Sequence, residues 1–244
     1  MSDFNNILNQ RLDIDFIFFD CMETLIDMVE IPTVFEYAKW AYEGSGLEDY
    51  WQNLEHFIDE YNIAAAKIKE SLPEYKEYST IERFILICEN NEAVKSRIDP
   101  RTAAGKLNSN YWKTYISKCY IRQDVKEVLP SLKLKYGLGV VSNFMIPGGI
   151  EELLNIFSIG QYFKFVITSI NMGWRKPHPA IYNAALKEAS AVPERVLFIG
   201  DDYINDYDAP IKMGFNAVLL DKYNKYANVC NRIENFYQLQ EILK

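Results

Sequence analysis

The chain is poor in histidine and cysteine. Of its 244 residues, 2 are histidine and 4 are cysteine. The cysteines lie far apart without C-x-x-C spacing, so we expect reduced, mostly buried thiols and no zinc site. Two histidines also make a Ser-His-Asp triad difficult to assemble. Carboxylates are the more promising catalytic groups, because Asp and Glu together number 34.

An excess of positive charge and long apolar runs are also missing. Lys and Arg number 26 against 34 Asp and Glu, a formal net charge of −8, which argues against a nucleic-acid partner. No stretch approaches the roughly 18 consecutive apolar residues of a membrane span, and residues 1–13 lack the basic and apolar regions of a signal peptide. We expect a cytoplasmic globular protein, monomer or homodimer, with no membrane partner.

Short apolar runs rich in β-forming residues predict the strands of a parallel sheet. Helical stretches at 150–156, 180–189 and 209–212 separate the last four runs. This alternation is typical of a doubly wound α/β fold with helices on both faces of the sheet. The five runs lie at 16–19, 138–141, 165–168, 196–199 and 217–220.

The interval between the first two runs is far too long for one crossover, so it predicts an inserted domain. Apolar residues recur at helical spacing from Trp51 to Ile68, and Ser79 with Glu82 has the spacing of a capping box. Asp99 before Pro100 is typical of another helix start. We therefore expect an all-helical domain at 29–119 and an α/β core formed by 1–28 and 120–244. The aromatic residues of the insert are interpreted as the core of a helical bundle.

The residues that follow the predicted strands carry the chemical information, because ligands of open parallel sheets bind beyond the carboxyl ends of the strands. Two acids and a hydroxyl of this set that converge at one edge, with Lys176 and Asp206 in nearby loops, would make a site for a phosphate and Mg²⁺. The residues that follow the five runs are Asp20, Ser142, Ser169, Asp201 and Asp221.

Four motifs resemble those of the haloacid dehalogenase (HAD) superfamily, in the same order along the chain. They are FIFFDCMETLID, VVSNF, GWRKPHPAIYNAAL and LFIGDDYINDYDAPIKMGF. The resemblance implies a Rossmann-like core, a C1-type helical cap that closes over the site and selects the substrate, and Mg²⁺ as cofactor. It covers nearly the whole chain.

The resemblance also implies roles for individual residues. Asp20 takes the position of the nucleophilic aspartate, which forms an aspartyl-phosphate that water then hydrolyses. Lys176 and Ser142 are expected to offset charge on the phosphoryl oxygens. Thr24, Asn143 and Met22 are expected to contact the substrate. The metal ligands are expected to be Asp20, Asp201, Asp206 and the backbone carbonyl of Met22.

Met22 departs from the pattern of the phosphatase branches, which carry an acid/base aspartate at this position. A thioether transfers no proton, and such catalysis is typically worth about a hundred- to ten-thousand-fold in rate. Glu23 stands where many members have glycine and could offer a substitute carboxylate. However, adjacent side chains of an extended segment point in opposite directions. We therefore expect Met22 to form an apolar wall of the site.

Three functions remain compatible with this departure. The first is Mg²⁺-dependent hydrolysis of a small phosphorylated metabolite whose leaving group needs no proton from position 22, or takes one from an acid of the cap or of the substrate. The second is dehalogenase-like hydrolysis of a carbon–halogen bond, and the third is phosphate binding without catalysis. Clustered acids are costly without a cation, so Asp201, Asp202 and Asp206 favour the first.

Residues beside the motifs are given structural interpretations. His178 is expected to organise its loop, and Arg175 to be a surface charge. Asp202 is expected to support the metal site or cap a helix. Cys21 is expected to be a packing residue, and Asp208 receives no interpretation.

Overall fold

The computed structural model describes residues 13–227 and 230–243, so the first twelve residues of the predicted core lie outside the described part of the chain. The strands are β1 Phe16–Phe19, β2 Asp27–Met28, β3 Cys119–Tyr120, β4 Gly137–Ser142, β5 Phe165–Thr168, β6 Val196–Gly200, β7 Asn216–Leu220 and β8 Arg232–Ile233. Six of these strands form one parallel sheet in the order β5-β4-β1-β6-β7-β8. This confirms the predicted α/β class.

All five predicted runs are strands, and β8 is an additional one at the edge of the sheet. β8 has only two residues, too few to show a periodicity. β1 lies between β4 and β6 and is paired with both. Central position and burial on both faces explain its apolar sequence FIFF.

Helices and turns connect the strands of the sheet. Tyr182 and Ile181, on one of these helices, pack with Phe18 of β1 and Phe198 of β6 in the buried core. The α-helices of this part are Gln123–Lys133, Gly149–Ile156, Ser169–Met172, Pro179–Ala189, Ala209–Lys212 and Phe236–Ile242. Two 3-10 turns at Gly160–Tyr162 and Pro193–Arg195 and a π-helix at Tyr203–Asp208 complete it.

The chain divides into two compact units, one containing the sheet and one formed by residues 28–119. The first boundary lies one residue before the predicted one, because Met28 belongs with the insert. The chain passes between the units within β2 and β3, which form a separate two-stranded sheet.

Every regular element between residues 29 and 118 is helical. Ser79 precedes the helix Thr80–Asn90 as predicted. Its side chain makes no capping hydrogen bond, so the predicted capping box is absent there. The reciprocal pair is instead Thr33 with Glu36. Asp99 accepts a hydrogen bond from Thr102 N at 2.8 Å. The helices are Val34–Tyr42, Leu54–Ser71, Thr80–Asn90, Glu92–Lys95 and Pro100–Lys118, with a 3-10 turn at Glu48–Tyr50.

A continuous series of aromatic rings fills the interior of the insert. Trp51 and Phe57 have ring centroids 4.9 Å apart, and Phe57 leads through Tyr61 to Phe84. Phe84 in turn contacts Tyr111 at 6.2 Å. These contacts agree with the interpretation of the aromatics as bundle core.

Among the described helices, none combines the length and apolar content of a membrane-crossing segment.

Candidate active site

Asp20 leaves the buried strand β1 at the edge of the sheet where the strands end. Its backbone N donates to Ile199 O at 2.8 Å, which extends the pairing with β6 by one residue. The side chain is 11% exposed. The carboxylate is therefore held at the strand end, with one face still open to a ligand.

Lys176 links two carboxylates in the interior of the site. Its Nζ donates to Asp20 Oδ1 at 2.8 Å, Asp206 Oδ1 at 2.6 Å and Val141 O at 2.8 Å, which uses all three protons of an ammonium. Burial lowers the pKa of Lys176, but the charges of Asp20 and Asp206 outweigh burial and the net direction is upward. Lys176 is therefore a fixed positive charge.

Asn143 holds the segment that carries Lys176. Its Oδ1 accepts from Lys176 N at 2.7 Å, and its Nδ2 donates to Lys176 O at 3.0 Å. Both backbone groups of one residue are thus paired with one amide side chain. Asn143 also lines the cleft described below, and this pairing ties the end of β4 to the Lys176 loop.

Asp201 and Asp206 bring two further carboxylates to Asp20. One carboxylate oxygen from each of the three residues lies within 4.8 Å of the others. Burial and the charge of Asp20 raise the pKa of Asp201 to about 7. Burial raises the pKa of Asp206 to about 8, although Lys176 acts in the opposite direction. Negative charge in this cluster is only partly compensated by the protein.

The π-helix that carries Asp206 is fixed at its start by Asp202. Asp202 Oδ1 accepts from Ile204 N and Asn205 N, each at 2.9 Å, and its backbone N donates to Asp206 Oδ2 at 3.1 Å. The buried Tyr182 donates from its hydroxyl to Asn205 O at 2.5 Å. Asp202 is thus a capping residue, one of its two expected roles.

Thr24 is fully buried next to Asp201. Its hydroxyl donates to Asp201 Oδ1 at 3.3 Å, and it does not line the cleft. Thr24 was expected to contact substrate, but in this structure its side chain orients a carboxylate instead.

Met22 and Glu23 point to different surroundings. Met22 lines the cleft beside Asp20, as expected of an apolar wall. Glu23 has φ of +57°, and its Oε2 accepts from Lys222 Nζ at 2.9 Å. The carboxylate of Glu23 is therefore bound to a cation outside the cleft lining.

A cleft of about 230 Å³ is formed where these groups meet. It includes Arg175, which the sequence alone indicates to be a surface charge, and Asn205, for which the motifs predict no role. Their positions beside Lys176 and Asp206 were the available signal. Asn205 Oδ1 is buried without a hydrogen-bond partner in the described part of the chain. The lining consists of Asp20, Met22, Ser142, Asn143, Arg175, Lys176, Asp201, Asp202, Asn205 and Asp206.

Two of the predicted strand-end residues have structural roles away from the cleft. Ser169 Oγ accepts from Phe144 N at 2.8 Å. Asp221 accepts from Lys225 N and Tyr226 N, both at 2.8 Å. Ser169 thus ties the segment after β4 to the end of β5, and Asp221 stabilises the turn that follows β7.

The residues beside the motifs also have defined contacts. His178 Nδ1 accepts from Ala180 N at 3.2 Å and caps a helix, as expected of a residue that organises its loop. Asp208 pairs with Lys212 at 2.6 Å on the exposed side. Cys21 is fully buried, in agreement with a packing role.

The donor set fits a hard divalent cation. When all three carboxylates are ionised, the single ammonium leaves two negative charges in excess, and oxygen ligands of this kind suit Mg²⁺. The unpartnered Asn205 oxygen beside them adds a further acceptor without a donor. A bound cation stabilises carboxylates and other oxygen acceptors that lie close together.

The family is shown by a family model described as haloacid dehalogenase-like hydrolase, which matches residues 17–220. The match spans well over half of the chain, so the chain belongs to the haloacid dehalogenase-like hydrolase family. This confirms the resemblance of the four motifs.

Proteins similar in sequence include a phosphatase. The haloacid dehalogenase-like hydrolase domain-containing protein 3 of Xenopus laevis is 39% identical over 83 residues, 34% of this chain and 33% of that protein. The glyceraldehyde 3-phosphate phosphatase of Methanothermobacter thermautotrophicus is 31% identical over 125 residues, 47% of this chain and 55% of that protein. The matches thus span between a third and just over half of these relatives.

The fold is also that of a solved dehalogenase. The 2-haloacid dehalogenase from Pseudomonas syringae pv. Tomato superposes with a TM-score of 0.72 at 19% identity, over 94% of this chain and 98% of that one. At this identity the likeness concerns the fold.

Proposed function

We propose that the protein is a Mg²⁺-dependent hydrolase of a small phosphorylated metabolite and that Asp20 is its nucleophile. The observation that carries this proposal is the convergence of Asp20, Asp201 and Asp206 around the buried ammonium of Lys176. A carboxylate nucleophile, a fixed cation and an excess of acidic oxygens meet the requirements of phosphoryl transfer.

Asp20 attacks phosphorus and displaces the leaving group, which gives an aspartyl-phosphate that water hydrolyses in a second step. Lys176 restrains the Asp20 carboxylate through Oδ1 and places positive charge where the phosphoryl oxygens gather. Ser142, buried at the end of β4, supplies a hydroxyl on the same side.

Asp20, Asp201, Asp206 and the backbone carbonyl of Met22 are the groups proposed to hold the metal. Thr24 acts on this set by donating to Asp201 Oδ1. When bound, the Mg²⁺ ion supplies positive charge that offsets the negative charge of phosphoryl oxygens.

The wall formed by Met22 restricts the substrate. Neither its thioether nor the Glu23 carboxylate, which is bound to Lys222, supplies a proton to a leaving group. We therefore propose a substrate whose leaving group departs without protonation at position 22, or which brings its own acid.

The cleft of the core unit fits a small reacting group such as a phosphoryl group. Its volume of about 230 Å³ lies below the roughly 300–1,000 Å³ of common ligand pockets. The core unit therefore accommodates the reacting group and little more. A relative named glyceraldehyde 3-phosphate phosphatase favours a small phosphate ester.

Dehalogenase-like hydrolysis is a second candidate, favoured by Met22. A halide leaves without a proton, so an apolar residue at this position is compatible with attack of Asp20 on carbon. The acidic cluster argues for the phosphoryl reaction, because attack on carbon uses no divalent cation. Phosphate binding without turnover is the third reading.

A screen of phosphorylated metabolites and 2-haloacids, each with and without Mg²⁺, tests the proposal. We expect phosphate release that requires Mg²⁺ and is abolished in Asp20→Asn. Metal-independent halide release would assign the second function. Undiminished turnover by Asp20→Asn would remove Asp20 as nucleophile, and phosphate binding without turnover would leave the third reading.

A further inference from the structure

Five charged side chains form a connected network of ion pairs at the loop that follows Asp20. We call these side chains the loop clamp. Each of them is at most 18% exposed, so the charges are largely removed from water. Charges in such surroundings are stable only when they are paired and hydrogen-bonded. The loop clamp consists of Glu23, Asp27, Arg122, Asp124 and Lys222.

Arg122 contacts the loop at two places. Its Nη1 donates to both oxygens of Asp27, at 2.6 and 2.7 Å, and its Nη2 donates to the backbone O of Thr24 at 3.0 Å. Its Nε is anchored on Asp124 Oδ1 at 3.1 Å. A planar guanidinium with three fixed partners allows the loop little lateral movement.

Lys222 contacts the loop at a third place. Its Nζ lies 2.9 Å from Glu23 Oε2 and 3.0 Å from Asp27 Oδ1. Lys222 follows β7 by two residues, so this contact ties the loop after β1 to a different part of the sheet.

Glu23 occupies the left-handed region, which an L-residue other than glycine adopts at a cost in free energy. The turn around it is tight, because Cys21 O accepts from Leu25 N at 2.8 Å and from Ile26 N at 3.0 Å. The ion pair with Lys222 stabilises the side chain of a residue in this costly conformation.

We propose that Lys222 and Arg122 are positioning residues, which hold the loop so that Thr24 bonds Asp201 and Met22 lies at the cleft. In this assignment the Glu23 carboxylate is the attachment point for Lys222 and takes no part in proton transfer. The activity readout below rests on the proposed function, whereas the exchange readout does not.

Hydrogen exchange on two variants and one control tests the clamp. Lys222→Met removes the cation, and Glu23→Met removes its acceptor with a side chain of the same length. Lys212→Met is the matched control, because Lys212 also forms an ion pair but lies exposed outside the loop clamp. We expect the Leu25 and Ile26 amides to exchange on the order of tenfold faster in both test variants. The same amides should be unchanged in the control.

The amides of β4 serve as the internal reference for global stability. Faster exchange confined to the loop supports the clamp. A rise in the Mg²⁺ concentration needed for half-maximal thermal stabilisation of the same variants supports the action of the clamp on the site. Equal acceleration in the loop and in β4 contradicts it, as does unchanged loop exchange in a folded Lys222→Met. If Lys222→Met does not fold, Glu23→Met decides by the same criteria.

Activity is measured in parallel so that the two proposals fail separately. A decrease in kcat that exceeds the change in KM is expected for both test variants, since the loop orients groups around the nucleophile. Loop-specific acceleration in a protein that hydrolyses no phosphate supports the clamp and contradicts the proposed function. Hydrolysis with unchanged loop exchange in both test variants contradicts the clamp alone.

Discussion

The backbone of Gly200 lies directly against the side chain of Asp206. A β-carbon at position 200 would lie 2.2 Å from Asp206 Oδ2 and 2.5 Å from its Cβ, closer than any van der Waals contact. The end of β6 therefore has room for Asp206 only because residue 200 is a glycine.

Gly200→Ala is expected to displace Asp206 and to abolish stabilisation by Mg²⁺. Overpacking of this kind typically costs about 1–3 kcal/mol of stability, which thermal unfolding without metal measures. Gly105→Ala is the control, because Gly105 lies in the helix Pro100–Lys118 and nothing lies within 4 Å of a β-carbon added there. It should gain roughly 0.5–1 kcal/mol. Full Mg²⁺ stabilisation of folded Gly200→Ala would contradict the assignment of Asp206.

Mg²⁺ at millimolar concentration is expected to raise the midpoint of thermal unfolding. A ligand that binds only the folded state at a hundred times its Kd adds about 2.7 kcal/mol. A magnesium-plus-fluoride phosphate mimic should increase the effect, and Asp201→Asn should lose it. Absence of any shift in wild type, with and without the mimic, would favour the dehalogenase or non-catalytic readings.

Met22→Asp is expected to raise weak activity on a phosphate monoester with a poor leaving group. The gain should be at most on the order of a hundred-fold, because the surroundings are not shaped around a new charge. An activated aryl phosphate should gain less, since its leaving group needs little protonation. Met22→Leu is the control and should show no gain. Equal, negligible rates of wild type and Met22→Asp on both substrates, in folded Mg²⁺-binding protein, would contradict the proposal that the site catalyses phosphoryl transfer.

Tyr182→Phe is expected to destabilise the core unit. The hydroxyl of the buried Tyr182 donates to Asn205 O at 2.5 Å in a partly buried contact, and a carbonyl that loses its donor away from water costs up to about 1–3 kcal/mol. Tyr237→Phe is the matched control, because that hydroxyl bonds Glu127 at an exposed position and its loss should cost less than about 0.5 kcal/mol. Denaturant unfolding measures both. Identical stabilities of the two variants would contradict the importance of this contact.

Labelling of Cys88 and Cys230 should be slow in the folded protein, because both thiols are buried. Burial raises the pKa of the Cys88 thiol to about 12 and that of Cys230 to about 11. Since the thiolate is the reactive form, both remain neutral and inert at pH 8. Both should react readily once the chain is unfolded. Because unfolded thiols ionise near pH 8.5, the two buried thiols should also destabilise the fold progressively above that pH. Rapid native labelling of Cys88 would contradict its burial.

The strand ends show how far the sequence could predict the site. Asp20, Ser142 and Asp201 line the cleft as expected, because an apolar run followed by a polar residue locates the edge of a parallel sheet. Asp221 follows such a run too, yet nearby amides occupy its carboxylate. Turn geometry decides between these outcomes, and hydrophobic periodicity contains no information about it.

The contacts of Glu23 show what could not be predicted. Its partner Lys222 lies 199 positions away in the sequence, so only the folded sheet brings the two together. Ser79 is a similar case on a local scale: its position starts a helix, but its side chain makes no capping bond. Spacing predicted where elements begin, whereas partners depended on tertiary structure.

The insertion of residues 28–119 at a single place in the chain has an evolutionary consequence. No strand of the six-stranded sheet lies within the insert, and all residues of the cleft lining lie outside it. Mutations in the insert therefore replace no residue of this sheet and none of the cleft lining. Selection can alter the inserted segment, by substitution or by recombination at its two junctions, while the inherited chemistry of the core is retained.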